Sequence, residues 1–132
     1  MNSTTVEREI RFSLDPASGV PFYRQIIQQI EQAILARRLE PGDRLPTIRA
    51  LAIELKINPN TIAKAYGELE IRGIVTTQVG SGTYVSDKRI DMEEAERTKK
   101  AEAAVARFIR DMEALGIDRA AMLEMVRGFE ED

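Results

Sequence analysis

The sequence predicts a mainly α-helical protein with one small β-hairpin, and three observations support this fold class. Apolar residues recur at intervals of three and four residues in five separate segments, which is typical of amphipathic helices. A run of β-branched and aromatic residues interrupted by two glycines occurs once, and it indicates a hairpin. The 132 residues include no Cys and no His, so we expect neither a disulfide framework nor a metal centre or cofactor held by these ligands.

The first segment is predicted to contain a short strand and a long helix. Polar and apolar residues alternate over residues 11–15, which favours a strand. Pro21 suits the first turn of a helix, where its missing N–H is not needed. The helix is predicted to run to about Leu39, because apolar residues follow Pro21 at helical spacing, namely Tyr23, Ile26, Ile27, Ile30 and Ile34.

Two short helices are predicted next, in close succession. Thr47 can cap the first of them, and its apolar face comprises Ile48, Leu51, Ala52 and Leu55. Asn58 followed by Pro59 is a typical start for the second, and Gly73 is well placed to end it. The apolar face of the second helix comprises Ile62, Ala65, Tyr66 and Leu69. So short a connection between two helices predicts a helix-turn-helix.

The hairpin follows the helix-turn-helix directly. Residues 74–78 and 83–85 favour strands, and residues 79–82 form a tip that contains two glycines. A helix-turn-helix followed by such a hairpin is the arrangement of a winged helix. We therefore assign residues 10–88 to a winged helix-turn-helix domain.

Residues 89–132 are predicted to form a tail of two helices. Residues 91–115 contain neither Gly nor Pro, Gly116 can end their helix, and Asp118 can cap the next one. Two heptads are too few for a stable coiled coil, so we expect the tail to pair two copies and to pack partly on the first domain of its own chain or of its partner. The residues predicted to form this dimer interface share an apolar stripe: Ala101, Val105, Phe108, Met112, Leu115, Met122, Met125 and Phe129.

The charge distribution indicates which part of the chain could face a polyanion. The net charge is −3, but residues 1–90 carry 12 basic and 10 acidic side chains, whereas residues 91–132 carry 7 and 12. The first part is therefore the one that can bind nucleic acid. Because its basic surplus is small, any binding must depend on a few well-placed contacts.

Candidate contacts for DNA occur in the helix-turn-helix and at the hairpin tip. A helix in the major groove meets base edges with its first residues, and the second helix begins with small polar side chains. Asn60 can pair with adenine, Thr61 can reach a base edge or a phosphate, and Lys64 can reach a phosphate. Arg49 can clamp a phosphate or enter the groove. Exposed backbone N–H groups, suited to phosphates or the minor groove, are predicted at Gly80, Ser81 and Gly82.

Each of these features taken alone has an ordinary structural explanation. Asn58 to Thr61 resemble a simple helix start, Lys64 a solvated side chain, and the glycines a tight turn. Arg44, Lys56 and Arg72 are likewise read as surface cations. The features occur, however, in the order that one DNA-binding surface needs.

The sequence argues against other classes of protein. No apolar run exceeds four residues and the first eight residues lack the core of a signal peptide, so we expect a cytoplasmic protein without a membrane span. The acidic residues of the long helix interleave with Arg and Lys, which is typical of solubilising pairs, and no catalytic constellation is recognisable. We therefore expect no enzyme activity. The Met and Phe stripe of the tail is read as core or interface, and a small-molecule effector site there stays open.

The run from residue 39 to residue 85 strongly resembles the GntR family of bacterial transcription regulators. The motifs that carry the resemblance include Leu-Pro-Thr at 45–47, Asn-Pro-Asn-Thr-Ile at 58–62 and Gly-Ser-Gly-Thr-Tyr-Val at 80–85. Further matches in register lie at residues 41–42, 49, 51–52, 65–66, 69 and 73. The short two-helix tail is similar to that of the YtrA subfamily.

The resemblance implies a homodimeric winged-helix repressor that binds a pseudo-palindromic operator in double-stranded DNA. It implies a groove-reaching role for Arg49, phosphate contact by Thr47, and a backbone contact at Gly80. Contacts of the recognition helix are implied at Asn58, Asn60 and Thr61. The chain departs from the family pattern at Pro59, Ala63 and Val79, so base preference cannot be carried over. The alternative is a winged-helix module that binds proteins, which predicts no salt-dependent affinity for DNA.

Overall fold

The computed structural model describes residues 10–130, which form five α-helices and one β-hairpin. The helices are α1 (Phe22–Leu35), α2 (Ile48–Leu55), α3 (Pro59–Ile71), α4 (Met92–Ala114) and α5 (Arg119–Arg127). The strands are β1 (Val75–Gln78) and β2 (Gly82–Val85), and a 3-10 turn (Pro16–Ser18) precedes α1. The predicted fold class is confirmed. The chain start that was considered for a signal peptide and the last two residues of the tail lie outside the described residues.

The strand predicted over residues 11–15 is wrong, because this segment is irregular. Side-chain amides of α1 take the place of a neighbouring strand. Gln29 accepts from the Ser13 N–H and donates to the Ser13 carbonyl, at 3.0 and 2.8 Å. Gln25 accepts from the Asp15 N–H at 2.8 Å and donates to the Asp15 carbonyl at 2.9 Å. The segment therefore satisfies its backbone on a helix surface and needs no sheet.

Helix α1 ends four residues before the predicted end at Leu39. Arg37 adopts a positive φ of 59°, which the helical pattern of apolar residues does not reveal. The N–H groups of Arg38 and Leu39 both bond to the Ala33 carbonyl, at 2.8 and 3.1 Å. The backbone therefore turns back, and Leu39 enters the core instead of continuing the helix.

The helix-turn-helix has the caps that the sequence predicts. Thr47 caps α2 by accepting from the Ala50 N–H at 3.0 Å, and Asn58 caps α3 by accepting from the Asn60 N–H at 2.9 Å. Lys56 ends α2 in the left-handed conformation, with φ 57°. Two residues, 56 and 57, and the cap Asn58 thus connect the helices.

One apolar core joins α1, α2, α3 and the hairpin. The side chains that are most completely buried are Ile26, Ile30, Leu39, Leu45, Leu51, Ile62, Leu69 and Val75. Helix α3 contributes its whole predicted apolar face, and α1 packs against it more extensively than any other pair of helices does in the described chain. The opposite side of α3 is consequently free to face a ligand.

The hairpin is bonded to the segment that precedes α2. Strands β1 and β2 pair antiparallel, with Val75 opposite Val85 and Gln78 opposite Gly82. On its other side β2 bonds to residues 42–45 through Gly42 N–H to Val85 carbonyl, Val85 N–H to Asp43 carbonyl, and Leu45 N–H to Thr83 carbonyl, each at 2.8 Å. The sheet thus has the two strands that the sequence predicts, and an isolated bridge between Arg44 and Tyr84 attaches it to the segment before α2.

Helix α4 lies along the N-terminal region of its own chain. Glu102 accepts from Arg24 and Gln28 of α1 at 2.9 and 2.5 Å, and the Arg110 guanidinium donates to the Ala17 carbonyl at 2.6 Å. Partial packing of the tail on the first domain is therefore confirmed. Among the described helices, none is long and apolar enough to cross a membrane.

Candidate DNA-binding surface

The start of α2 presents Thr47 and Arg49. The Thr47 hydroxyl accepts from the helix, as given above, and its own proton stays available for an acceptor outside the chain. Arg49 is exposed in the first turn of α2, and no carboxylate within residues 10–130 pairs with its guanidinium. An unpaired guanidinium beside a helix start is suited to bind an anionic oxygen.

The start of α3 presents Asn58, Asn60 and Thr61. Asn58 and Asn60 are exposed, whereas Thr61 is half-buried. The side-chain oxygen of Asn58 is used by its cap, so its NH₂ group is the part that can donate to a ligand. Asn60 makes no side-chain hydrogen bond with the described residues, and its amide can both donate and accept. This is the donor and acceptor pair that an adenine edge requires.

The ordinary explanation of Lys64 from the sequence is a side chain surrounded by solvent. In the structure its ammonium group instead lies against an aromatic ring. Its ammonium nitrogen lies 4.1 Å from the centroid of the Tyr23 ring on α1. The Arg24 guanidinium carbon lies 5.1 Å from the same centroid. Lys64 therefore remains at the exposed surface of α3, but in a defined position on an aromatic face.

The hairpin tip carries Gly80, Ser81 and Gly82. Gly80 and Gly82 have φ values of 78° and 149°, so the tip requires conformations that L residues rarely adopt. Ser81 Oγ and the Tyr84 hydroxyl oxygen are 2.5 Å apart. Gly82 also makes room for Arg44, since a Cβ at Gly82 would lie 2.7 Å from Arg44 Nε. The exposed backbone of the tip thus lies next to the Arg44 guanidinium group.

Hydrogen bonds connect these segments to one another. The Tyr66 hydroxyl of α3 donates to the carbonyl of Pro46, immediately before the cap of α2, at 2.8 Å. Burial raises the pKa of the Tyr66 hydroxyl and so favours the protonated form that donates to Pro46. Arg44 pairs with Tyr84 in an antiparallel bridge. The hairpin, the start of α2 and the middle of α3 are therefore linked through residues 44–46.

Two residues that lie beside this candidate surface were not among the candidates predicted from the sequence, namely Arg44 and Tyr23. Arg44 was read as an ordinary surface cation, because its position against Gly82 depends on a bridge between distant segments. Tyr23 was assigned to the apolar face of α1, and no spacing rule reveals that its ring meets Lys64. Arg72, also read as a surface cation, instead bonds to Glu68 at 3.2 Å and lies 3.7 Å from Glu31.

The apolar stripe predicted for the dimer interface is largely exposed in the single chain. Val105 is 56 % exposed, Leu115 73 % and Phe129 83 %, while Phe108 and Met125 are 38 % and 46 % exposed. Ala101 is exposed and Met112 is half-buried. Met122 differs from the others, since it is buried within the chain. The stripe therefore has one member that already contributes to intramolecular packing.

Residues 22–85 match the family model described as bacterial regulatory proteins, gntR family. The chain is 39 % identical over 114 residues to the HTH-type transcriptional regulator YhcF of Bacillus subtilis (strain 168), covering 86 % of this chain and 93 % of that protein. It is 50 % identical over 74 residues to the HTH-type transcriptional repressor YtrA of the same organism. That match covers 56 % of this chain and 57 % of the repressor.

Solved structures agree with these sequence matches. YtrA from Sulfolobus acidocaldarius, a GntR-family transcription factor, is similar with a TM-score of 0.54 and 28 % identity, over 88 % of this chain and 93 % of that one. The structure of AraR(DBD) in complex with operator ORX1 is similar with a TM-score of 0.51 and 27 % identity, over 57 % of this chain and 93 % of that one. The chain belongs to the gntR family of bacterial regulatory proteins, as the motifs of its helix-turn-helix and hairpin predicted.

Proposed function

We propose that this protein is a sequence-specific DNA-binding repressor of transcription, which binds a pseudo-palindromic operator as a homodimer. The observation that carries the proposal is the connection of three exposed polar segments, namely the start of α2, the start of α3 and the hairpin tip. Bonds through residues 42–46 join the elements that carry these segments: Tyr66 of α3 donates to the Pro46 carbonyl just before α2, and β2 bonds to residues 42–45. Binding of duplex DNA needs such a surface, because the recognition helix α3, helix α2 and the hairpin tip must contact the duplex together.

The residues of this surface have complementary roles in the proposal. The first turn of α3 enters the major groove, where Asn60 and Asn58 offer amide groups to base edges. Arg49 reaches a base edge or a phosphate from α2. Contacts to the DNA backbone, which fix register without reading sequence, are assigned to Thr47, Thr61, Lys64, Gly80, Ser81 and Gly82. Arg44 adds a positive charge beside the hairpin tip.

Relatives support both the repressor role and the binding of operator DNA in this proposal. The name of the Bacillus subtilis protein YtrA describes a transcriptional repressor, and AraR(DBD) was solved on an operator. Residues 22–85, which match the family model, include the whole helix-turn-helix and the hairpin. Since a repressor acts on the chromosome, we assign the protein to the cytoplasm.

The dimer is proposed to form through the tail, residues 89–132, and to leave the winged domain, residues 10–88, free for DNA. The exposed apolar side chains of α4 and α5 would be covered by the same stripe of a second copy. A two-fold axis makes such an interface self-complementary and places two α3 helices in successive major grooves. The interface is assigned to Ala101, Val105, Phe108, Met112, Leu115, Met125 and Phe129, with Met122 supporting them from within the chain.

Selection of bound fragments from random DNA, followed by affinity measurements on the selected site, tests the function. We expect a site with two related halves and an affinity that falls as salt rises, because phosphate contacts release counterions. Arg49→Ala is expected to cost about 1–3 kcal/mol on the selected site if the side chain meets a base. Arg107→Ala is the matched control, since Arg107 is exposed on the tail and its loss should leave the affinity unchanged.

Two results would contradict the proposal at different levels. Unchanged affinity of Arg49→Ala would remove Arg49 from the contact surface while leaving the function intact. The absence of any salt-dependent affinity for DNA would overturn the function and favour the alternative, a winged-helix module that binds proteins.

A further inference from the structure

The position of Lys64 is set by an element that lies outside the helix-turn-helix. Helix α1 presents Tyr23 at the surface where it packs against α3, and Tyr23 is half-buried beside the apolar core. The Lys64 ammonium nitrogen lies 4.1 Å from the centroid of this ring. At this distance the negative face of the ring attracts the cation. The ring therefore selects one position for a side chain that otherwise has many rotamers.

The charges around Tyr23 leave Lys64 as the available cation. Arg24 also lies near the ring, but its guanidinium bonds to Glu102 of α4 at 2.9 Å. That bond holds the guanidinium beside the carboxylate, and it also raises the pKa of Arg24. Lys64 has no carboxylate partner within residues 10–130, and Glu68, one turn further along α3, is paired with Arg72. An anion that approaches this part of α3 therefore meets the Lys64 charge without a competing internal ion pair.

The place of Lys64 on α3 connects this cation to the recognition residues. Lys64 lies one helical turn after Asn60, and both are exposed. When the first turn of a recognition helix enters the major groove, the phosphate backbone passes the following turn. A cation held at that turn needs no further ordering when a phosphate arrives, which lowers the entropic cost of binding.

We infer that Tyr23 is a positioning residue for DNA binding, whose ring holds the Lys64 ammonium group ready for a backbone phosphate. The inference rests on the proposed function, because it assigns a phosphate of the operator as the ligand. The contact belongs to the backbone and not to a base, so it contributes equally to specific and non-specific DNA. Tyr23 itself acts through Lys64 and reads no sequence.

A double-mutant cycle with the full-length protein tests this role on the selected operator and on a random duplex. Tyr23→Leu keeps an apolar side chain beside the core but removes the ring, and we expect the affinity to fall about 2- to 5-fold on both duplexes. Tyr23→Phe keeps the ring face and should restore binding close to the wild type. Lys64→Ala should weaken binding on both duplexes and lower the slope of log affinity against log salt by about 1.

The decisive comparison is the effect of Tyr23→Leu in the Lys64→Ala background. If the ring acts through Lys64, the second substitution has no further effect on affinity. An equal loss in both backgrounds, or no loss from Tyr23→Leu alone, would overturn the inference. Thermal unfolding of each variant shows whether a loss of binding reflects a loss of folded protein.

A measurement without DNA separates this inference from the proposed function. The ring should shift the NMR signals of the Lys64 methylene protons next to the ammonium group upfield, and Tyr23→Leu should abolish the shift while Tyr23→Phe retains it. Absence of the shift in the wild type would contradict the contact even if the protein binds an operator. If the shift is present but no DNA is bound, the proposed function fails while the contact stands, and the positioning role fails with the function.

Discussion

The two regions of the molecule differ in how completely they bury their apolar residues. In the N-terminal region, residues 10–88, the apolar faces of three helices and the hairpin meet in one continuous core, with Ile26, Ile30 and Leu69 fully buried. In the tail, the apolar residues that the structure places inside the chain are Ala95, Ala106 and Met122, and most of the stripe is exposed. The N-terminal region thus encloses its apolar residues within a single copy, whereas the tail leaves most of its stripe exposed, as the proposed dimer requires.

This difference has an energetic meaning. Burial of apolar surface stabilises a fold by about 25 cal/mol per Å². The N-terminal core is buried within each single chain, so it supplies this stabilisation without a partner. The exposed part of the tail stripe adds to this stabilisation only if a second surface covers it. Stability of the first region should therefore be independent of protein concentration, and stability of the tail should depend on it.

The largest expected effect is on the N-terminal core. Ile30→Ala should lower the free energy of unfolding by about 2–5 kcal/mol, because Ile30 is fully buried and its loss leaves a cavity. Leu123→Ala in the tail, where the side chain is 59 % exposed, should change it by less than about 0.5 kcal/mol. Urea unfolding at a concentration low enough to keep the protein monomeric measures both. Equal losses would show that the two regions do not differ as described.

A smaller effect is expected at the exposed stripe. Phe108→Asp should raise the dimer dissociation constant at least tenfold, about 1.4 kcal/mol, because a charge would face the apolar interface. Light scattering and sedimentation measure the mass, and circular dichroism checks that the helices persist. Ala103→Asp is the control, since Ala103 is exposed on α4 outside the stripe. A variant at Phe108 that dimerises like the wild type would place the interface elsewhere.

The smallest effect is expected where the two regions meet. Burial raises the pKa of Glu31 on α1, and the nearby carboxylates of Glu102 and Glu94 on α4 raise it further, while Arg72 opposes them. The folded protein thus binds this proton more tightly than the unfolded chain, so the Glu31 contribution to stability is lost as pH rises through the raised pKa.

Replacement of Glu31 tests this sign. Glu31→Gln should remove that part of the pH dependence of stability. At neutral pH the free energy of unfolding of the variant should equal that of the wild type or exceed it by up to about 1 kcal/mol. Urea unfolding between pH 4 and pH 8 gives the comparison. A loss of more than about 2 kcal/mol at neutral pH would show that the ion pair with Arg72 outweighs the cost of burying the carboxylate.

The sequence predicted most of the elements because their signals are local. The caps at Thr47 and Asn58, the apolar spacing of α3 and the glycines of the hairpin each act within a few residues. The strand wrongly predicted over residues 11–15 lies where distant residues replace a local rule, whereas the end of α1 was misplaced because the helical pattern does not reveal the positive φ of Arg37. Gln25 and Gln29 satisfy the backbone of residues 13–15 from another element, and no periodicity within that segment reveals them.

The candidate surface shows the same division. Arg49, Asn58 and Asn60 follow from their positions in capped helices. Arg44 and Tyr23 could not be found in this way, since Arg44 meets Gly82 across a bridge and Tyr23 meets Lys64 across two packed helices. Contacts between elements depend on packing angles, which single-sequence patterns do not contain.

The backbone bonds between β2 and residues 42–45 have a consequence for the DNA binding proposed above. They fix β2 to the segment that leads into α2, so we expect little freedom between the hairpin and the start of α2. The double helix must therefore supply the adjustment. Base steps that bend or narrow easily at the wing would bind at a lower deformation cost, and the operator would be selected in part by the mechanics of bases that no side chain touches.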